Sequence, residues 1–280
     1  MAEAGPRAFV VGHPIAHSRS PLIHGHWLRE YGIEGSYERL DVAPDRFEAF
    51  LSSLARDGFV GGNITLPHKE TAFAAIAHRD AAAEAIGAVN TVWLEGGKLY
   101  GSNTDAYGFA ASLDEQAGHW REGRRACVLG AGGAARAILF ALIEAGYSDI
   151  RLVNRTLDRA ERLARRFAPA VRPVPWDRLD EGLVGAELLV NTTSLGMGGS
   201  PFPEIAFGLL DPGAVVTDIV YVPLETPLLR RAAAAGFPTA DGLGMLLHQA
   251  VPGFESWFGT RPAVTAELRQ VIVDDLDAAA

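Results

Sequence analysis

Lys69 is the residue in this sequence whose type and position most favour proton transfer. Of the 25 basic residues only Lys69 and Lys98 are lysines, and Lys98 follows two glycines in a predicted turn. Arginine keeps its proton in proteins, whereas lysine can release it. Pro67 predicts a helix start, so Lys69 falls in the first turn, where the helix dipole disfavours a cation. We therefore expect an acid/base role for Lys69 rather than that of a solvated surface lysine.

A carboxylate at Asp105 could complete such a proton-transfer site. The residue follows the polar run 101–104 and opens a predicted helix. Because the helix dipole stabilises an acid in the first turn, the sequence leaves two interpretations open. Asp105 either only stabilises its own helix, or it approaches Lys69 and helps to hold a proton and position a reacting hydroxyl.

Polar side chains near the ends of two predicted strands could bind a small ligand. Asn63 and Thr65 stand at the carboxyl end of the predicted strand 59–64, where open α/β sheets bind ligands. Ser18 and Ser20 precede a predicted helix, whose N-terminus suits a carboxylate. The simpler interpretation of Ser20 is an N-cap, with the following proline as the first helical residue.

A glycine-rich turn directly after an apolar strand predicts a dinucleotide site. The strand 126–129 is followed by Gly130-x-Gly132-x-x-Ala135 and then by a helix over 134–145. These glycines allow a tight turn and close approach of a pyrophosphate, which the helix N-terminus stabilises. A glycine turn alone predicts only positive φ angles, but the surrounding strand, turn, helix and strand favour nucleotide binding.

The residues after the next predicted strand indicate NADP rather than NAD. NAD-specific sites place an acid about 20 residues beyond the glycine turn, whereas this chain has Asn154-Arg155-Thr156 there. A guanidinium can hold the 2′-phosphate of NADP with two hydrogen bonds, and Arg159 could assist. The alternative is that Arg155 is solvated and Thr156 only caps the next helix. Further arginines on that helix are expected to form a solvated face: Arg162, Arg165 and Arg166.

The order of the predicted elements is that of a two-domain α/β protein. The first hundred residues alternate strands with helices, which favours a mainly parallel sheet, and 89–94 with 98–100 predicts a hairpin. A charged, glycine-rich stretch at 118–125 precedes a Rossmann-type doubly wound NADP-binding domain. We expect an α/β substrate domain over 1–106, completed by C-terminal helices over 241–280, and the NADP-binding domain over 107–240.

Composition argues against several classes of protein. The formal net charge of −9 and the lack of a basic run argue against nucleic-acid binding. No apolar stretch could span a bilayer and no export signal is evident, so we expect a cytoplasmic protein without a membrane partner. The single cysteine, Cys127, lies in an apolar run and is expected to be a buried thiol. His24 and His26 cannot share a helix face, so no metal site is expected.

Seven motifs, in order along nearly the whole chain, closely resemble those of the shikimate dehydrogenase family. They are His17-Ser18-Arg19-Ser20-Pro21, Asn63-Ile64-Thr65-Leu66-Pro67-His68-Lys69, Gly87-Ala88-Val89-Asn90-Thr91, Asn103-Thr104-Asp105, Gly130 to Ala134, Asn154-Arg155-Thr156 and Asp241-Gly242-Leu243-Gly244-Met245-Leu246. The resemblance implies reversible reduction of 3-dehydroshikimate to shikimate by NADPH, in aromatic amino-acid (chorismate) biosynthesis. The sequence departs from the usual family pattern at Gly25, where asparagine often stands, and at His68, where an aromatic residue is common.

The resemblance also implies a role for each matching position. Lys69 would be the acid/base group, with Asp105 beside it. The implied substrate contacts are Ser18 and Ser20 for the carboxylate, and Asn63, Thr65, Asn90, Tyr221 and Gln249 for the hydroxyls or their surroundings. The implied NADP contacts are Gly130, Ala131, Gly132, Gly133 and Ala134 at the pyrophosphate, Asn154, Arg155, Thr156 and Arg159 at the adenosine phosphate, and Ile219, Gly242 and Met245 at the nicotinamide. Without the resemblance, apolar packing explains Ile219, Tyr221 and Met245 equally well.

Three other functions stay open for this sequence. A quinate or dual quinate/shikimate dehydrogenase would act on a similar substrate, often with NAD, and Arg155 and the two serines weigh against it. A non-catalytic NADP-binding paralogue would be expected to lack Lys69 or Asp105. A folate-linked dehydrogenase of similar architecture finds no support in the serine motif. The expected oligomeric state is a monomer or a homodimer.

Overall fold

The computed structural model describes residues 5–278. The strands are β1 (Arg7–Gly12), β2 (Ser36–Asp41), β3 (Phe59–Ile64), β4 (His78–Arg79), β5 (Thr91–Glu95), β6 (Lys98–Ser102), β7 (Arg125–Leu129), β8 (Asp149–Asn154), β9 (Val171–Pro175), β10 (Leu188–Asn191), β11 (Val215–Asp218) and β12 (Thr239–Ala240). The α-helices are α1 (Ser20–Glu30), α2 (Phe47–Ser53), α3 (Lys69–Ala75), α4 (Ala81–Ile86), α5 (Asp105–Gln116), α6 (Gly133–Glu144), α7 (Leu157–Arg166), α8 (Leu179–Leu183), α9 (Pro227–Ala234), α10 (Gly242–His248), α11 (Val251–Phe258) and α12 (Ala266–Ala278).

Two compact units divide the chain. One comprises the residues up to Thr104 together with those from Gln249 onward, and the other runs from Asp105 to His248. The sequence instead assigned 105–106 and 241–248 to the first domain. Helix α10 packs against α5 of the second unit, which explains why 241–248 cluster there. The assignment of one part to substrate and the other to NADP stays a prediction.

The first unit is built on a mixed sheet. Its strand order is β2-β1-β3-β5-β6-β4, in which β1 pairs in parallel with β2 and β3. The predicted hairpin is confirmed, because β5 pairs antiparallel with β3 and β6. Apolar side chains of alternate strand positions form the core on this sheet with those of the adjacent helices, among them Phe9, Val11, Phe47, Ile64 and Val92.

Two predicted helix starts are displaced in the structure. Ser20 is the first residue of α1 rather than its N-cap, which is Arg19 and makes no side-chain capping hydrogen bond. Pro67 lies in a turn before α3, and the His68 amide closes this turn by donating to the Thr65 carbonyl over 2.9 Å. Lys69 is the first residue of α3, so its predicted place in the first turn is confirmed.

The second unit is built on a parallel sheet. Its strand order is β12-β11-β10-β7-β8-β9, and each neighbouring pair is parallel. Counted along the chain from β7, this is the 3-2-1-4-5-6 order of a Rossmann-type doubly wound sheet. The sequence did not predict β9, because its two prolines disfavour a strand. At the sheet edge, where β9 lies, a strand tolerates residues that lack an N–H donor.

Two kinds of feature are absent from residues 5–278. No helix there combines the length and apolar character needed to cross a bilayer. Within the same range, no three His, Cys, Asp or Glu side chains stand close enough together to hold a metal ion. Cys127 is fully buried, as its apolar neighbours predicted.

Candidate active site

The carboxyl ends of the parallel strands in the first sheet gather several of the predicted substrate contacts. Ser18 lies in the segment after β1, and Thr65 follows β3 directly. The Thr65 amide donates to the Val11 carbonyl over 2.9 Å, and the Ile64 amide donates to the Asn90 carbonyl over 2.8 Å. Because β5 runs antiparallel to β3, Asn90, which directly precedes β5, lies at the same edge of the sheet as the end of β3. The fold therefore brings the segments of Ser18, Thr65 and Asn90 to one edge of the sheet.

Lys69 joins the same edge from the start of α3. Its carbonyl accepts a hydrogen bond of 3.0 Å from the Val89 amide, which ties the helix start to the segment before β5. The Lys69 side chain is half-buried. Asp105 is the first residue of α5 and belongs to the second unit. Its pairing with Lys69 stays a prediction.

The serine segment after β1 is held by charged side chains of β2. The Arg39 guanidinium donates twice to the Ser18 carbonyl, over 2.9 and 2.7 Å. The Asp41 carboxylate contacts the His13 ring nitrogen at 2.5 Å and accepts from the Ile15 amide at 3.4 Å. These contacts, His13 first, hold the pKa of Asp41 below its ordinary value. The serine segment is thus fixed at both its beginning and its end.

A buried network orients the Asn63 and Asn90 side chains of the first unit. The Asn63 side-chain nitrogen donates to the Asn90 carbonyl over 3.3 Å and to the Thr91 hydroxyl over 3.2 Å. The Asn90 side-chain oxygen accepts from the Thr91 hydroxyl and from the Thr104 amide, each over 2.9 Å. Since donors and acceptors alternate along this network, neither amide can flip without losing hydrogen bonds in a buried place.

The glycine turn after β7 has the geometry that its sequence predicted. Gly130 has a φ of 101°, and a side chain there would clash with Thr192 and Thr193 at 2.8 Å. The Asn154 side-chain oxygen accepts from the Ala131 amide over 3.1 Å, so this asparagine supports the turn itself. Helix α6 begins at Gly133 with Gly132 as its N-cap, and no side chain caps it. Its first amides are therefore left for another acceptor.

An arginine-lined cavity of about 420 Å³ adjoins this turn. A Cβ built on Gly132 or Gly133 meets no atom within 4 Å, so that side of the turn is open. Within residues 5–278, the guanidinium groups of Arg159 and Arg162 make no hydrogen bond or ion pair. An anion is the natural partner for such groups. The lining residues are Ala131, Gly132, Gly133, Arg136, Arg159, Arg162, Leu163 and Arg166.

The cavity separates arginines that the sequence grouped together. Arg162, Arg165 and Arg166 are exposed, as the sequence predicted, and of these three Arg162 and Arg166 line the cavity. Arg155 is exposed and does not line the cavity. Thr156 occupies the N-cap position of α7, as the capping interpretation predicted, but its side chain makes no capping hydrogen bond.

Comparison with known proteins decides the family. A family model described as the shikimate dehydrogenase substrate binding domain matches residues 10–92. Models described as shikimate / quinate 5-dehydrogenase and shikimate 5′-dehydrogenase C-terminal domain match 113–196 and 242–272. A shikimate dehydrogenase (NADP(+)) of Mesorhizobium japonicum is 60% identical over 276 residues, covering 99% of this chain and 99% of the relative. The chain belongs to the shikimate dehydrogenase family.

Solved structures of the shikimate dehydrogenase family share this fold. The shikimate 5-dehydrogenase of Thermus thermophilus, solved in complex with NADP(H) and shikimate, is 40% identical with a TM-score of 0.82, over 98% of this chain and 100% of that chain. The quinate dehydrogenase of Corynebacterium glutamicum, solved in complex with NAD, is 29% identical with a TM-score of 0.88, over 96% and 99%. The predicted family and the two-domain Rossmann-type fold class are confirmed, whereas the predicted residue roles stay predictions.

The remaining predicted contacts of this shikimate dehydrogenase family member differ in burial and packing. Packing alone requires glycine at position 242, because a Cβ there would lie 2.4 Å from the Ile219 carbonyl oxygen. Ile219, Tyr221 and Met245 are half-buried in the second unit, and Gln249 is half-buried in the first. Their roles at the nicotinamide and the substrate stay predictions.

Sequence reasoning missed Asp218, a fully buried carboxylate at the end of β11. Its carboxylate accepts hydrogen bonds from the Asn191 side-chain nitrogen and the Thr226 hydroxyl, each over 2.8 Å. It also accepts one from the Val220 backbone amide over 3.0 Å. Burial nevertheless raises its pKa above the ordinary value. Through Val220, this carboxylate fixes the segment that carries Ile219 and Tyr221. The signal in the sequence was a polar residue directly after a buried apolar strand.

His24 is a second buried polar residue that sequence reasoning left without a role. It is fully buried, and neither ring nitrogen has a hydrogen-bond partner of normal geometry among the described residues. Burial lowers its pKa from 6.5 to about 3, while the side chain of Asn63 acts in the opposite direction. The signal was a histidine on the apolar face of α1, between Ile23 and Trp27.

Proposed function

We propose that this chain is an NADP-dependent shikimate dehydrogenase, which reversibly reduces 3-dehydroshikimate to shikimate with NADPH in aromatic amino-acid (chorismate) biosynthesis. The observation that carries this proposal is that the segments bearing these hydroxyl, amide and amine residues meet at one edge of the first sheet. A substrate with a carboxylate and several hydroxyls suits that set of groups. The family relatives named shikimate dehydrogenase support the same substrate.

The second unit suits NADP by two features. The open glycine turn leaves the first amides of α6 without a capping side chain, which favours a pyrophosphate. The arginine-lined cavity beside the turn could bind a further phosphate through the guanidinium groups of Arg159 and Arg162. Within residues 5–278, these two groups pair with no other residue. A 2′-phosphate on the adenosine ribose, which distinguishes NADP from NAD, supplies that charge.

Each group of the first unit has one task in the proposed reaction. Bound NADPH supplies the hydride that reduces the ring carbonyl. Lys69 donates a proton from Nζ to the carbonyl oxygen as it becomes a hydroxyl, and takes the proton back in the reverse direction. Ser18 and Ser20 hold the carboxylate, while Asn63, Thr65 and Asn90 orient the ring. Asp105, the first residue of α5 in the second unit, is proposed as the carboxylate that assists Lys69.

A steady-state assay of the purified protein tests this function. Shikimate and quinate are each paired with NADP and with NAD, and kcat/KM is compared over the four combinations. We expect shikimate with NADP to give the highest value. Equal or better turnover of quinate with NAD would instead favour the quinate dehydrogenase alternative. The structural similarity to the quinate dehydrogenase of Corynebacterium glutamicum is the reason for testing it. A cytoplasmic location and a monomeric or homodimeric state belong to the same proposal.

Replacing Arg162 by glutamine should weaken NADP binding selectively. We expect Arg162→Gln to raise the KM for NADP by about fivefold, because a charge-assisted hydrogen bond to the phosphate is lost. The KM for NAD should change little, since NAD lacks that phosphate. Steady-state kinetics with both cofactors measure the two values.

Arg165→Gln is the matched control for this change. Arg165 lies on the same helix and is exposed like Arg162, but it does not line the cavity. Its variant should keep the wild-type preference for NADP over NAD. If both variants weaken NADP binding equally, the effect is one of general surface charge, and the cavity is not the phosphate site.

A further inference from the structure

Tyr37 crosses the first sheet to reach one of the proposed substrate contacts. It lies on β2, where its partner on β1 is Ala8, and the next strand of the sheet is β3. The Tyr37 hydroxyl donates to the Asn63 side-chain oxygen on β3 over 2.5 Å. A small residue at position 8 leaves room for the tyrosine ring over β1. The hydroxyl thus supports an amide two strands away.

The Tyr37 hydroxyl has one hydrogen-bond partner among residues 5–278. A tyrosine hydroxyl has one proton, and here that proton goes to Asn63. Burial raises the pKa of Tyr37, while the nearby Ser20 side chain acts in the opposite direction. The neutral hydroxyl therefore serves as the donor to Asn63.

Aromatic neighbours hold the Tyr37 ring in place. The His24 ring stacks on it with centroids 4.1 Å apart and planes 22° apart, and Trp257 lies 5.8 Å away. Trp257 is itself anchored by its indole N–H, which donates to the Val92 carbonyl over 2.8 Å. Because the Tyr37 ring packs against His24 and Trp257, its hydroxyl is held in one position.

We propose that Tyr37 is a positioning residue for the substrate, whose hydroxyl sets the orientation of Asn63. This inference rests on the proposed function. The Asn63 amide protons are already used by the Asn90 carbonyl and by Thr91, so the bond from Tyr37 completes the constraint on that amide. Without the hydroxyl, the Asn63 side-chain oxygen loses its donor. The amide is then held only through its nitrogen and is fixed less firmly for a ligand.

Tyr37→Phe tests the proposal because it removes only the hydroxyl and keeps the packed ring. We expect the KM for shikimate to rise by about tenfold, as the loss of a hydrogen bond that preorganises a site implies. The kcat and the KM for NADP should stay within about twofold of wild type, because Lys69 and the cofactor turn are untouched. Calorimetric titration with shikimate should show the same loss of affinity without turnover.

Tyr147→Phe is the matched control. Tyr147 is also buried, and its hydroxyl donates over the same 2.5 Å, but to the structural Trp120 carbonyl of the second unit. This variant should lose thermal stability and keep the wild-type KM for shikimate. If Tyr37→Phe behaves like it, with lower stability and unchanged shikimate affinity, Tyr37 has only a structural role and the proposal is overturned.

The wild-type protein separates this proposal from the proposed function. If it turns over or binds shikimate while Tyr37→Phe keeps full affinity, only the role of Tyr37 fails. If it neither binds nor turns over shikimate, the proposed function fails and the role of Tyr37 fails with it.

Discussion

Lys69→Ala should lower kcat by roughly 10²-fold or more and leave the KM for shikimate almost unchanged. A group that moves a proton in the transition state contributes to the rate far more than to ground-state binding. Lys69 begins α3 at the sheet edge where the segments of the other proposed substrate contacts meet, which is the basis for proposing this task for its amine. Steady-state kinetics in both reaction directions give the two constants.

Lys98→Ala is the control that the sequence itself offers. Lys98 is the only other lysine, and it is exposed at the start of β6. Its removal changes the net charge by the same amount as the removal of Lys69, and we expect wild-type kcat. Wild-type turnover by Lys69→Ala would remove Lys69 from the mechanism. Equal losses in both variants would point to an effect of charge on the whole protein.

His24→Leu should make the stability of the protein less sensitive to acid. The His24 ring is neutral in the folded state, where burial lowers its pKa to about 3 against an ordinary value of 6.5. Between these values the unfolded chain binds a proton that the folded chain does not, so stability is lost as the pH falls. From pH 6.5 to pH 4 this histidine alone contributes about 3 kcal/mol to the loss.

Denaturant unfolding at several pH values measures this effect. Wild-type protein should lose stability steadily below about pH 6.5, and His24→Leu should show a shallower slope. The absolute stability of the variant is not the readout, because loss of the aromatic stack with Tyr37 acts at every pH. His119→Leu, which replaces an exposed histidine, should keep the wild-type slope. An identical slope for wild type and His24→Leu would show that His24 is not a neutral buried group.

The cofactor turn and the place of Lys69 in the first turn of α3 could be predicted because their signals are local. Gly130 needs a positive φ within its own turn, and the apolar run before it forms the strand. Lys69 follows a proline that restricts the chain just ahead of the helix. Strand β9 was missed for the converse reason. Its prolines are acceptable only at a sheet edge, and a sequence does not show which strand lies there.

The buried polar residues could not be predicted, because their partners are distant in sequence. Asp218 is stabilised by Asn191, 27 positions earlier, and Tyr37 donates to Asn63, 26 positions later. The arginines of α7 also look alike in the sequence. Only the packing of α7 beside the glycine turn separates Arg162, which lines the cavity, from Arg165, which does not.

The sequence by itself determined the two-domain α/β class, the place of the dinucleotide turn, the helix position of Lys69 and the family that its motifs resemble. Each of these follows from backbone preferences or from residue types within a few positions of one another. Only the tertiary structure decided which polar atoms face one another, because hydrogen bonds across a sheet depend on strand order and register. The Tyr37–Asn63 bond and the buried Asp218 follow from that register, and no local pattern encodes it.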